Sequence, residues 1–297
     1  MTIIKNDKKL IFNKELIFQF FKYAVYIMLS MNVYHFFVED FNASSQTFAN
    51  GISPTQIIEA FTATIDTAAW VVLLLLFELE TYVLDDDKIK GLVKWSIDLT
   101  SILCYAFIIY SFYGYVSKYF MIHNIIPFSI DDACSLVGGA FTYIEDIDEY
   151  LPLTTEICTS FNSTQLFRVV GTQIITTPEN LIEAQRLSTV EVINSANWLI
   201  IVFILEVDVF LQLRGRLTSR IISISKRIKF VLYSILLFAA IYWGIKGDFL
   251  DFWDAFLWLV AFVFIELNIF EWNAETNAES NAKLNSESND KEIDTTN

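Results

Sequence analysis

The chain has 297 residues, 54% of them hydrophobic and only 19% charged, with a net charge of −15; a soluble domain carries about 25% charged residues. The apolar excess falls in blocks of roughly 20 residues, the length that crosses a bilayer core of about 30 Å. That excludes a soluble globular protein, a disulfide scaffold and a nucleic-acid binder, the last also because an acidic molecule repels phosphate.

In chain order, residues 1–15 form a cytoplasmic N-terminal segment and the first span covers about Leu16–Val38. It is too long for a secretory signal, lacks a small-residue cleavage site, and is followed by further spans. Ser53-Pro54 pairs a hydroxyl cap with proline at a first helical position, a helix start signal. The second helix therefore begins near Pro54 and runs to Leu84, with its span at Thr62–Leu84. The third span is Leu92–Val116, with Asp98 one turn from Lys94 and Cys104 at mid-span.

The external loop 121–189 carries nine acids against Arg168 and Arg186, together with Cys134 and Cys158. Its compartment permits oxidation, so a disulfide and two free thiols are both open outcomes. Thr177-Pro178 repeats the start signal and predicts one helix from Pro178 to Leu213, with its span at Val190–Leu213. The helical extensions and residues 124–177 form either a small external cap or a plain spacer. Arg214–Lys229 holds six basic residues and no acid. It reads as an amphipathic helix on an anionic leaflet, as a topogenic signal, or as a source of cations for buried acids. The last spans are Ile228–Ile245 and Phe249–Phe270; the acidic, Asn/Ser-rich tail 273–297 reads as disordered.

Sixteen of the 20 Lys and Arg residues fall on the side of the termini, so both termini are read as cytoplasmic. Trp70, Glu78 and Glu80 recur as Trp198, Glu206 and Asp208, and as Trp258, Glu266 and Asn268. The expected fold is therefore an all-α integral membrane protein: six transmembrane helices over 16–272, arranged as three tandem helical hairpins.

Acids inside a membrane are costly and mark ion paths or internal pairs. Positions two apart on a helix differ by about 200°. Glu78, Glu206 and Glu266 are accordingly assigned to the bundle interior, and Glu80, Asp208 and Asn268 to neighbouring helices or subunits.

Two functions compete: a proton or metal-ion pathway through these acids, and a non-catalytic scaffold or complex subunit whose acids pair with basic residues. A sensor with an external cap ranks third. His35 and His123 are the only histidines, and no metal-ligand, phosphate-loop or nucleophile motif accompanies them. Neither enzyme activity, a resident metal nor a cofactor is expected. The expected partners are the bilayer, cations, and a second copy or other membrane subunits, in a plasma membrane or bacterial inner membrane.

Overall fold

The computed structural model describes residues 2–48, 51–84, 88, 90–145, 150–161 and 165–262. Expectations for Glu266, Asn268 and the 273–297 tail lie outside these residues. The chain divides into two units, Met1–Ile27 with Phe256–Asn297, and Met28–Ala255.

In the first unit, the opening half of helix α1 (Thr2–Thr47) buries Lys22, Val25 and Tyr26. The Lys22 ammonium lies 5.2 Å from the Tyr23 ring centre. The closing part of helix α8, described over 249–262, buries Leu257, Trp258, Ala261 and Phe262.

The second unit holds the rest. The second helix is not continuous from Pro54 to Leu84. A 3-10 turn (Pro54–Gln56) leads into the single turn α2 (Ile57–Ala60), a break at Phe61, then α3 (Thr62–Glu78) and a π turn (Leu79–Val83). The reason for the break lies in α1. Asp40 accepts hydrogen bonds from the Thr64 backbone N–H at 2.8 Å and its hydroxyl at 2.6 Å, so a carboxylate caps the positive end of α3 from outside. The Phe61 ring stacks on Phe37 with centres 5.8 Å apart.

Helix α4 (Leu92–His123) approaches this restart closely. A Cβ on Gly114 would overlap the hydroxyl of Thr62, and that hydroxyl is held by the Ile58 carbonyl at 2.6 Å. Gly114→Ala should therefore destabilise the bundle by about 1–3 kcal/mol through overpacking, read as a lower melting temperature in detergent. An unchanged value would mean that the helices separate freely.

Helix α6 (Pro178–Leu213) runs unbroken, as the sequence predicts. The Thr177 hydroxyl accepts from the Asn180 N–H at 3.4 Å, and proline takes the first position. Arg214–Lys229 is not a separate helix of its own. Residues 214–218 make a turn, and Ser219 already opens α7 (Ser219–Lys246). Gly247 closes α7 at φ 93°, which lets both its own N–H and that of Asp248 reach the Trp243 carbonyl at 3.1 and 3.2 Å.

Four helical segments are long and apolar enough to cross a bilayer: Leu16–Ser45, Leu92–His123, Pro178–Gln212 and Ser219–Lys246. Their apolar side chains face outward to an extent that water would not tolerate: Trp95 is 75% exposed, Phe238 71% and Ile245 77%. A helical membrane protein explains this, because lipid covers such surface and each helix satisfies its own backbone.

Between α4 and α6 lies a small sheet, an addition to the all-α expectation and a resolution of the cap-or-spacer question in favour of a folded module. Its strands are β1 (Ile125–Phe128), β2 (Thr142–Ile144), β3 (Tyr150–Pro152), β4 (Leu166–Val169) and β5 (Ile174–Thr176), ordered β1-β4-β5-β2-β3. All pairings are antiparallel except β2 with β5. One face, with Ile144, Val169 and Ile174, packs on Ala184 and Leu187 of α6 and on Ala239, Ala240 and Trp243 of α7. The other encloses Leu153, Phe161, Leu166 and Ile175 around helix α5 (Thr155–Ser160) and the disulfide Cys134–Cys158. Asn180 joins sheet to helix by donating to the Tyr143 hydroxyl at 2.7 Å and the Ile144 carbonyl at 3.2 Å. Burial raises the Tyr143 phenol above its ordinary 10.0, so this acceptor stays neutral.

Candidate functional site

Polar groups gather in two layers, each bridging antiparallel helices. At the sheet end, Lys118 of α4 meets Glu191 of α6 at 2.9 Å. Lys246 of α7 meets Glu183 of α6 at 2.7 Å, and Ser117 donates to Glu59 at 3.0 Å. Asn32 of α1 donates to Asp254 of α8 at 2.8 Å. This layer arises because α4 and α6 extend beyond the length a bilayer needs, so polar residues near their ends can face one another.

At the opposite end the recurring acids appear. Glu78 is 4% exposed and points inward, as assigned. It continues the buried stripe Thr67, Val71, Leu74 of α3, spaced three and four apart as a helix face requires. In α6 the assignment fails at Glu206, which is exposed, whereas Asp208 faces a neighbouring helix as assigned. There the enclosed stripe runs through Glu191, Ser195, Trp198 and Ile201, and seven residues past Ile201 comes Asp208. Asp208 therefore meets the Ser225 hydroxyl and, at 3.6 Å, the Lys229 ammonium of α7. Glu206 lies off that stripe and is exposed, where it accepts from the Tyr105 hydroxyl of α4 at 2.6 Å.

Glu80 is exposed and lies within electrostatic reach of Tyr105, Lys94 and Asp98. Glu206 thus hydrogen-bonds the Tyr105 phenol while Glu80 lies within electrostatic reach of it. A direct Asp98–Lys94 pair is not among the ion pairs of the described residues; Lys94 acts on Glu80 as a counter-charge and Asp98 as a like charge. The tryptophans that precede the acids also meet, Trp70 and Trp198 having ring centres 6.3 Å apart.

Sequence reasoning missed Tyr105, Ser225, Lys118 and Glu191. Tyr105 is one of five tyrosines on α4, and nothing in its own neighbourhood in the sequence sets it apart. Lys118 carried a signal, being one of the four basic residues that the charge pattern assigns to the side opposite the termini. Among the described residues no three His, Cys, Asp or Glu side chains are grouped to hold a metal ion. Chemically, the arrangement holds carboxylates by cations and hydroxyls, which neutralises their charge and fixes helix register. No family model, curated protein or solved structure matches the chain.

Proposed function

We propose that the protein is a non-catalytic, multi-pass membrane scaffold or complex subunit in which intramembrane acids lock the helices together and the disulfide-stapled module serves as the presented face. This reading takes six spans in three tandem hairpins, with both termini cytoplasmic, in a plasma or bacterial inner membrane. The observation that carries it is the Asp208–Lys229 contact, reinforced by Ser225. It pairs one of the recurring acids with a cation from the basic Arg214–Lys229 segment. Glu191 with Lys118 and Glu183 with Lys246 support the same role.

A double-mutant cycle tests this. Asp208→Asn and Lys229→Met should each destabilise the detergent-solubilised protein, and the double variant should lose less than their sum, with a coupling of about 1–3 kcal/mol. Strict additivity would remove the pairing argument.

The second reading, a cation pathway, is favoured by buried Glu78 and by the Tyr105–Glu206 hydrogen bond, with Glu80 within electrostatic reach of the same phenol. In proteoliposomes the scaffold reading expects cation flux equal to that of empty vesicles. Flux above that level, abolished in the E78Q/E206Q/E266Q variant, would establish the pathway instead.

A further inference from the structure

From Val209 to Gly247 the chain contains no acid, yet Arg214, Arg216, Arg220, Lys226 and Arg227 follow one another within 14 residues. All five are exposed. The turn that carries the first two is fixed by its backbone: Gly215 takes φ 63°, its N–H bonds the Gln212 carbonyl at 2.9 Å, and the Arg216 N–H bonds the Leu211 carbonyl at 2.9 Å. The Arg214 guanidinium lies 4.2 Å from the centre of the Phe210 ring, parked against an aromatic at the end of a candidate span.

The geometry of α7 separates two jobs within one basic run. Ser225 and Lys229 are buried and face Asp208. Arg220 and Arg227 are seven residues apart, which brings them within about 20° of each other, and they lie roughly 150° around the helix from Ser225. Beside them stand exposed Ile224 and Ile228. This face is apolar enough to enter lipid and cationic at its edge, so the long stems can lie along acyl chains while the guanidinium groups reach the phosphate level. Arginine presents a planar fork that binds phosphate oxygens in pairs. Among the described residues, Arg216, Arg220 and Arg227 meet no acid.

We propose that the α6–α7 turn and the first two turns of α7 form a binding surface for the headgroup of an anionic phospholipid. Lys229 serves the protein's interior, and the four arginines serve the lipid. The proposal rests on α6 and α7 entering a bilayer, not on the scaffold role. A failure of that premise would appear as protein soluble without detergent, whereas a failure of the proposal leaves an inserted protein without lipid preference.

The protein is reconstituted in equimolar phosphatidylglycerol and phosphatidylcholine of identical acyl chains, extracted gently, and its retained lipids are counted by native mass spectrometry. Phosphatidylglycerol should be retained at least about tenfold over phosphatidylcholine. The R214Q/R216Q/R220Q/R227Q variant should bring the ratio to parity, and the matching Arg→Lys variant should keep most of it. Inorganic phosphate should not displace the lipid. Equal retention of both lipids by the wild type, or an unchanged preference in the Gln variant, overturns the proposal. If the Gln variant does not insert, the wild type decides alone: the preference should fall steeply on raising salt, and a salt-independent preference overturns the proposal.

Discussion

Lys118→Met should be among the most damaging single substitutions in the bundle. It removes the cation 2.9 Å from Glu191, a carboxylate whose side chain is only 7% exposed. Leaving one partner of an enclosed ion pair without its counter-charge costs about 3–5 kcal/mol. For a chain of this size that lowers the melting temperature by on the order of 10 °C, measurable by scanning fluorimetry in detergent. The double replacement K118M/E191M should recover most of the loss, since an apolar pair of similar volume needs no solvation. A single variant that melts like the wild type would mean that water already reaches Glu191.

Removing the disulfide should release the sheet module while sparing the helices. The module spans about 50 residues with strands of three or four residues, a small core for independent stability. Its disulfide closes a sequence separation of 24, which is worth about 3 kcal/mol through restriction of the unfolded chain. With Cys134 and Cys158 both replaced by Ser, or with reductant added, residues between β1 and β4 should become sensitive to protease. Fragments containing α4 and α6 should survive intact. Cleavage should occur only with protease on the side opposite the termini, which makes the same experiment a test of sidedness. Equal resistance with and without reductant would show that the hydrophobic cluster around Phe161 and Ile175 holds the module unaided.

Much of the helical layout was legible residue by residue. Thr177-Pro178 marks the start of α6 because a hydroxyl acceptor and a proline suit a helix terminus wherever the rest of the chain goes. The long apolar runs mark α4 and α7 for a similarly local reason. The sheet module was illegible: three-residue strands are too short for alternation to register, and β2 pairs with β5 in parallel across some 30 residues. The break at Phe61 was equally hidden, since its cap, Asp40, lies 24 residues upstream of Thr64.

The recurring Trp and acid positions show where the boundary lies. Composition and period alone point to a helical chain with segments apolar and long enough to cross a bilayer, and with acids at a fixed distance from tryptophan. Which of those acids turns inward depended on tertiary packing. In α3 the eighth residue after Trp70 is buried, whereas in α6 the eighth after Trp198 is exposed and the tenth, half-exposed, meets α7. The two helices are rotated differently about their axes by the neighbours they meet. Spacing along a helix fixes relative angles within it, but only contact with other helices sets the zero of that angle.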